Sequence, residues 1–166
     1  MSWIQGQHGL VVYVPEHFEL WEVFPPTMKP IWEAGRDVHN ANLAWLYFDP
    51  RVLVTMDRLR VRYGSALMNT WGLKESVREV YGIHQWRGYR PRNCKVGARL
   101  SYHKLGEAAD MVFTKVAAQK VREDLLNDPF DHTFEFITAI ELNISWFHFS
   151  CQPHDKVNNG VLTFNP

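Results

Sequence analysis

In the stretch Ser101-Tyr102-His103-Lys104-Leu105-Gly106-Glu107-Ala108-Ala109-Asp110, a histidine and an aspartate lie seven positions apart with a glycine between them. A second histidine, His148, follows in the apolar run Ile144-Ser145-Trp146-Phe147-His148-Phe149. Two imidazoles and one carboxylate are a sufficient ligand set for a catalytic zinc ion, which keeps a fourth position open for water. The sequence therefore indicates a Zn²⁺ site made of His103, Asp110 and His148.

The predicted secondary structure brings these three residues within reach of one another. His103 lies in a loop just before a predicted strand over residues 108–113, which carries Asp110. His148 lies in the return strand of a hairpin, over residues 145–151. Adjacent strands lie about 5 Å apart, so ligands from two strands and an adjoining loop can converge on one ion. The alternative is that His148, between two phenylalanines, is a hydrogen-bonded core histidine.

The rest of the chain indicates an α+β domain. The clearest helix begins with Asp49 as its cap and Pro50 in its first turn, carries apolar residues on one face and ends at Gly64. Further predicted elements are a short helix over 15–24, a strand over 66–71, an amphipathic helix over 116–126 and a strand over 133–141. Residues 72–100 are irregular, and so long a loop in a compact domain is either functional or carries short elements of its own. Helices followed by a mainly antiparallel sheet with a covering helix define the α+β class.

Composition narrows the functional classes. The 166 residues suit one domain, and 18 basic against 18 acidic side chains leave no basic excess for binding nucleic acid. The sequence contains no run of about 18 apolar residues, so no membrane span is predicted. The first residues lack a basic segment followed by an apolar one, so we expect no signal peptide and a cytoplasmic location in the producing cell. Two cysteines are too few for a disulfide framework, and free thiols are favoured over a Cys94–Cys151 bridge.

Glu141 is the first choice for a general base. It ends the strand whose hairpin partner carries His148, and a carboxylate there could take a proton from water and pass it to a leaving amine. The alternative is a solvated glutamate in a turn. Glu107 is a weaker choice, expected at the surface beside the site.

The cluster Arg87-Gly88-Tyr89-Arg90-Pro91-Arg92 is the second notable group. A guanidinium near the metal could bind a substrate carboxylate or polarise a carbonyl. The alternative is a basic loop that faces solvent, which is expected for Arg87 and Arg92. Three tryptophans either shape the substrate cleft or belong to the core; they are Trp71, Trp86 and Trp146.

Several motifs resemble one family when taken together. Ser101-x-His103-x-x-Gly106-x-Ala108-x-Asp110 resembles the first metal motif of the M15 zinc D,D- and L,D-peptidases, which share the hedgehog/D-Ala-D-Ala peptidase fold. Trp146-Phe147-His148 is similar to the family's last ligand motif. Upstream, three further segments occur in the same order as in M15-like proteins of bacteriophages: Asp49-Pro50-Arg51, Met68-Asn69-Thr70-Trp71 and Arg87-Gly88-Tyr89-Arg90.

The resemblance covers roughly residues 45–151. The chain length predicts a single domain over 1–166, in which this M15-like core over 45–151 is preceded by an N-terminal helical segment over 1–44 and followed by a loosely packed tail over 152–166.

The resemblance also implies a function. Such enzymes hydrolyse peptide bonds in the stem peptides or cross-bridges of bacterial peptidoglycan, with zinc bound by residues that match His103, Asp110 and His148. Arg90 matches the loop arginine that contacts substrate, and Trp71 and Trp146 are expected to line the substrate cleft. A bacteriophage protein of this kind is endolysin-like and acts on the cell wall after release, or as part of the virion.

Two positions depart from the family pattern. Several branches carry an acid three residues before the last histidine, where this chain has Ser145, and many carry one two residues after it, where this chain has Ser150. Glu141 fits the place of the glutamate that many phage relatives have ahead of the last motif. The departures leave two alternatives: a non-catalytic, metal-binding structural or binding protein of the same fold, and a zinc hydrolase with a substrate outside the cell wall.

Overall fold

The computed structural model describes residues 3–5, 11–34 and 42–166. Its helices are α1 (Leu20–Val23), α2 (Lys29–Ala34), α3 (Pro50–Tyr63), α4 (Glu75–Tyr81), α5 (Ala118–Asn127) and α6 (Lys156–Asn159). Its strands are β1 (Trp3–Gln5), β2 (Val11–Tyr13), β3 (Ala66–Leu67), β4 (Ala108–Phe113), β5 (Ala139–Glu141), β6 (Phe147–Ser150) and β7 (Leu162–Phe164). No helix within these described ranges is long and apolar enough to cross a membrane.

A five-stranded sheet forms the centre of the molecule, and its strand order is β3-β4-β6-β5-β7. The pairs along it are antiparallel except for the parallel pair of β5 with β7. Helix α3 packs against β4 and helix α5 against β6. The predicted α+β class with a mainly antiparallel sheet and flanking helices is therefore confirmed.

The two faces of the sheet differ in character. Side chains alternate between faces along a strand, and directly paired residues lie on the same face. One face contributes apolar side chains to the core, among them Ala109, Met111, Phe147, Phe149 and Ile140. The opposite face carries the paired Asp110 and His148. The sheet thus separates the core from the predicted metal site.

Helix α3 forms as its end signals predict. The Asp49 side chain accepts a hydrogen bond from the backbone N–H of Arg51, and Pro50 occupies the first turn. Gly64 ends the helix with a φ of 83°, which favours glycine. Its buried face includes Leu53, Met56 and Leu59. This helix covers the core side of the sheet.

The predicted loosely packed tail is wrong. Strand β7 joins the central sheet, where Leu162 and Phe164 pair with Ala139 and Glu141. Helix α6 precedes it and is capped by the Asp155 side chain, which accepts from the N–H of Asn158. Because β7 pairs in parallel with a strand that is not its neighbour in sequence, no local turn motif in the sequence predicts this pairing.

Several predicted elements are shorter than expected. The helix predicted over 15–24 is confined to α1, because the backbone N–H groups of Glu16 and His17 donate to the Asp57 carboxylate instead. The strand predicted over 133–141 is reduced to β5, and turns occupy 132–136, after which the N–H of Ile137 donates to the Phe134 carbonyl. The strand predicted over 66–71 is reduced to β3. The segment predicted as helical over 1–44 also contains the antiparallel pair of β1 and β2.

The segment between α4 and the metal motif, residues 82–101, is here named the arginine loop. It contains no helix or strand, yet its backbone is bound at several points to the rest of the domain. The N–H of Tyr89 donates to the Val23 carbonyl, and the N–H of Arg90 donates to the His103 carbonyl. A Cβ atom on Gly88 would lie 2.0 Å from the Val23 carbonyl oxygen, so this close approach requires glycine. These contacts set the loop beside the polar face of the sheet.

Candidate metal centre

One cross-strand row on the polar face of the sheet carries most of the site. Asp110 of β4 pairs with His148 of β6. The register of β5 against β6 pairs Ile140 with Phe149, so Glu141 comes one residue further on, in the row of His148. Glu141 in turn pairs with Phe164 of β7. Directly paired residues share a face, so this row directs two carboxylates, an imidazole and an aromatic ring to the same side.

His103 reaches this row from a single 3-10 turn, Tyr102–Lys104, just before β4. The turn is followed by Gly106, whose φ is 72° and whose added Cβ would lie 2.0 Å from the Tyr47 carbonyl oxygen. The glycine between the two predicted ligands is therefore required by backbone conformation and by close packing. It allows the chain to turn from His103 into the strand that carries Asp110.

The three predicted ligands converge. His148 Nδ1 lies 2.6 Å from Asp110 Oδ1, and His103 Nε2 lies 3.4 Å from both of these atoms. All three side chains are buried, with 3%, 4% and 9% of the surface of His103, Asp110 and His148 exposed. They are a group within the described residues whose ligand atoms could hold a metal ion.

The donor set fits a tetrahedral ion. A zinc ion about 2.0–2.1 Å from each ligand atom separates neighbouring ligand atoms by about 3.3 Å, close to the two distances of 3.4 Å found here. The shorter separation between His148 and Asp110 is that of a charge-assisted hydrogen bond, which a metal would replace. Binding needs only a small widening of one contact.

The tautomer of His103 is fixed by its second nitrogen. His103 Nδ1 lies 2.8 Å from the Gly88 carbonyl oxygen, and a carbonyl only accepts hydrogen bonds, so Nδ1 carries the proton. In the neutral form of the ring, the lone pair is then at Nε2, which faces Asp110 and His148. Metal-binding histidines are usually oriented by such a second contact.

Asp110 divides its two oxygens between different partners. Oδ1 faces the imidazoles, and Oδ2 accepts a hydrogen bond from Arg90 Nη2 at 3.2 Å. Burial alone would raise the pKa of the Asp110 carboxyl, but the charge and hydrogen bonds of His103 and His148 outweigh burial and hold it well below its usual range. Metal binding needs the same ionised carboxylate but neutral imidazoles, so a bound ion would supply the positive charge that the imidazoles supply here.

Arg90 is fixed from the loop side. Its Nε donates to the Trp86 carbonyl at 2.6 Å, while Nη2 reaches Asp110. The guanidinium is mostly buried, with 13% of the side chain exposed. The structure therefore places Arg90 as a partner of a predicted metal ligand, in addition to its place in the wall of the site.

Two cavities meet at this centre. The first cavity, about 690 Å³, is lined by all three predicted ligands and by Arg90, Glu141, Trp146 and Phe164, among others. The second cavity, about 370 Å³, is lined mainly by the arginine loop, including His84, Trp86, Arg87 and Val96. Arg90, Asp110 and Trp146 line both cavities. Their volumes lie within or near the range of small-molecule sites.

The turn between β5 and β6 is held by Arg122 of α5. Its Nε donates to the Glu141 carbonyl at 2.9 Å, and its Nη2 donates to the carbonyls of Ile144 and Trp146. Burial lowers the pKa of this guanidinium, and only 2% of the residue is exposed. Arg122 thereby fixes the segment that presents Glu141 and Trp146, although amphipathic spacing alone gave no reason to single it out.

Not every predicted residue reaches the site. Trp71 does not line either cavity; its indole N–H donates to the Phe24 carbonyl and its ring packs on Trp21 and Trp32. The prediction that Trp71 lines the substrate cleft is therefore corrected to a packing role. Glu107 also lies elsewhere, close to Asp49 and Arg51, where burial raises the pKa of its carboxyl.

The two serines at the positions of absent acids differ in their surroundings. Ser145 is exposed in the turn before β6, whereas Ser150 is buried at the end of that strand. Neither residue lines the first cavity, so Glu141 is the carboxylate beside the triad in that cavity. Both cysteines are free, as the sequence favours.

Two residues of the site were missed from the sequence. Phe164 lies on β7, and its ring meets the His148 ring edge-on with 5.7 Å between centroids. Arg87, expected to face solvent, is half-buried in the wall of the second cavity. The sequence signal that could have indicated Phe164 is an aromatic residue in a segment that otherwise looks like an exposed tail. The signal that could have indicated the second cavity is the Gly-aromatic-Arg turn beside Arg87.

Comparisons of the chain with protein-family models, with curated proteins and with solved structures give no match. The geometry of the site and the motif spacing are therefore the basis on which its function is inferred.

Proposed function

We propose that this protein is a zinc-dependent peptidase that hydrolyses peptide bonds in bacterial peptidoglycan, with a hedgehog/D-Ala-D-Ala peptidase-like fold. The observation that carries the proposal is the convergence of His103, Asp110 and His148 in the wall of the first cavity, with Glu141 in the same cross-strand row. Two imidazoles and one carboxylate with room for a fourth ligand are typical of catalytic zinc sites. The resemblance to M15 peptidases supplies the substrate class.

His103, Asp110 and His148 would bind the ion. Zinc, when bound, supplies Lewis acidity that polarises a carbonyl and makes water a stronger acid. Two of the three protein ligands are already oriented, His103 by the Gly88 carbonyl and Asp110 by Arg90. This support keeps the ligand atoms in place before substrate arrives.

Glu141 is the general base in this proposal. Its carboxylate would accept a proton from the attacking water and return it to the departing amine, as a positioned carboxylate can do in peptide hydrolysis. The pairing with Phe164 and the contact of its own carbonyl with Arg122 fix the backbone that carries it. Trp146 contributes to the wall where the substrate peptide would lie.

Arg90 has two proposed roles. It orients Asp110 through the Oδ2 contact, and its guanidinium lines both cavities, where it would contact substrate or stabilise negative charge on the carbonyl oxygen. The proposed place of action follows from the resemblance: a phage protein, endolysin-like, that reaches the cell wall after release or on the virion.

Purified protein tests the proposal in two steps. Elemental analysis identifies the bound metal, because the same donor set can also hold iron or other divalent ions. Peptidoglycan digestion with and without a chelator, followed by mass spectrometry of the released fragments, then identifies the bond cleaved. Stoichiometric zinc with chelator-sensitive release of peptides is the expected result, and protein that carries no metal would contradict the proposal.

A second function is favoured by one observation. Ser145 and Ser150 stand at positions where several branches and many members, respectively, of the M15 peptidases carry acids, which fits a metal-binding protein of the same fold without catalytic activity. Bound zinc with no release of fragments at any pH would support this function over the peptidase. A zinc hydrolase with another substrate would cleave soluble peptides and leave peptidoglycan intact.

A further inference from the structure

The second cavity differs in charge from the first. Arg90 and Asp110 line both cavities; the first cavity adds the carboxylate of Glu141, whereas the second adds the guanidinium of Arg87. Asp110 is the acidic residue that lines the second cavity, and its oxygens are engaged by Arg90 and the two imidazoles. The second cavity therefore has an excess of positive charge.

Arg87 is the cation without a matched carboxylate. Its side chain donates through Nη1 to the Met68 carbonyl at 3.3 Å, and its backbone N–H donates to Asn69 Oδ1 at 3.0 Å. Within residues 11–34 and 42–166, no carboxylate lies at ion-pair distance from it. Burial lowers the pKa of this guanidinium, and the distant charge of Asp110 only partly opposes that effect. A half-buried cation in this state gains from an anionic ligand.

The position of this cation relates it to the triad. A backbone hydrogen bond joins Arg87 to Asp110, because the N–H of Asp110 donates to the Arg87 carbonyl at 2.8 Å. Trp146 lies in the wall shared by the two cavities, and its indole Nε1 is buried without a hydrogen-bond partner. A ligand bound at the triad can therefore extend into the second cavity past Trp146.

We propose that the second cavity is a carboxylate subsite, in which Arg87 binds a carboxylate of the peptide whose scissile bond lies at the triad. This inference rests on the proposed peptidase function and adds the substrate feature that the enzyme recognises. The carboxylate has two sources, the free terminus of the peptide or the side chain of an internal acidic residue. A terminal carboxylate makes the enzyme a carboxypeptidase, and an internal one makes it an endopeptidase.

Equilibrium binding tests the subsite without relying on turnover. Calorimetry uses the full chain with Glu141→Gln, so that the peptides stay intact. The first pair of probes is N-acetyl-L-lysyl-D-alanyl-D-alanine and its C-terminal amide. The second pair consists of two peptides with amidated C-termini, one with an internal glutamate and the other with a glutamine at the same position. Tighter binding of the free acid over its amide assigns a terminal carboxylate, and tighter binding of glutamate over glutamine assigns a side chain.

Arg87→Gln should remove whichever preference is found. A hydrogen bond to a charged group predicts a loss of about 10- to 100-fold in affinity for the carboxylate peptide, with the neutral peptide unchanged. Arg92→Gln is the matched control, because Arg92 is exposed in the same loop and lines neither cavity. If Arg87→Gln fails to fold, Val96→Trp fills the second cavity and should weaken the same peptide, whereas Val80→Trp, at an exposed position of α4, should not.

The outcomes separate this inference from the proposed function. The carboxylate subsite is overturned if the protein with Arg87 in place binds the acid and neutral peptides equally. It is also overturned if the Arg87→Gln and Arg92→Gln proteins bind the carboxylate peptide with equal affinity. Hydrolysis by wild-type protein together with that result leaves the peptidase proposal standing. Carboxylate preference that depends on Arg87, with no hydrolysis by wild type, supports the subsite and contradicts the peptidase.

Discussion

The paired strands β4 and β6 and the arginine loop fix their functional side chains in different ways. In the strands, Asp110 and His148 are direct partners in a ladder, so one register places both ligand atoms. In the loop, Arg90 is placed by separate contacts with backbone carbonyls, that of His103 outside the loop and that of Trp86 within it. The comparison shows that the ligand set depends on strand pairing, whereas its support depends on a few separate hydrogen bonds. Substitutions in the two regions should therefore differ in severity.

Removal of a ligand from the strand pair should have the largest effect. His148→Ala deletes one of three protein ligands, and we expect metal affinity to fall by more than about 100-fold, since loss of a supporting contact alone costs about 10- to 100-fold. Elemental analysis after gel filtration measures the loss. His132→Ala is the control, because His132 is exposed and outside both cavities. Full metal content in His148→Ala would show that the triad is not the binding site.

Removal of the proposed base should leave the metal in place. Glu141→Gln keeps the size of the side chain and removes its basicity, and we expect turnover to fall by about 10²- to 10⁴-fold with unchanged zinc content. Rates of fragment release, normalised to bound metal, measure the effect. Glu123→Gln on the exposed side of α5 is the control. Full activity in Glu141→Gln would assign the base to another group.

The loop contact should have an intermediate effect. Arg90→Lys retains the charge but cannot donate to both the Trp86 carbonyl and Asp110 Oδ2 in the same planar geometry. We expect metal affinity to fall by about 10- to 100-fold, which competition with a chromogenic chelator measures. The exposed neighbour Arg92 provides the matched substitution, Arg92→Lys. If both variants bind metal as tightly as wild type, the loop does not support the ligand set.

The reactivity of the two cysteines allows the loop and the strand pair to be compared without any substitution. Cys94 is half-buried in the arginine loop, whereas Cys151 follows β6 and is fully buried. Burial raises the pKa of the Cys151 thiol to about 12, so at pH 8 only about 10⁻⁴ of it is the reactive thiolate. A thiol reagent should modify Cys94 rapidly in native protein and Cys151 only after denaturation. Rapid modification of two thiols in the native state would show that the end of β6 opens readily.

The strand pair was predictable because local patterns specify it. Residues 108–113 follow a glycine turn and were predicted with the observed bounds of β4, and the alternation around His148 placed it on a strand. The ligand set followed from motif spacing together with this placement. Helix α3 was likewise predictable, because its cap and its end are determined by Asp49, Pro50 and Gly64.

The loop and the chain end were not predictable for a common physical reason. Arg87 lies in a charged cluster that is typical of solvent exposure, but contacts with Met68 and Asn69 place it in a cavity wall. Phe164 lies on a strand of three exposed residues whose partner, β5, is more than one element away. In both cases the structure depends on partners distant in sequence, and local propensity carries no information about them.

The site of β7 has a practical consequence for work with the protein. Phe164, Asn165 and Pro166 all line the first cavity, so any residues joined after Pro166 begin at its mouth. A polyhistidine affinity tag attached there would bring additional imidazoles next to the triad, where they would compete for the ion and inflate the metal count. Protein prepared for metal analysis should therefore carry a tag of different chemistry at this end, or one that is cleaved before measurement.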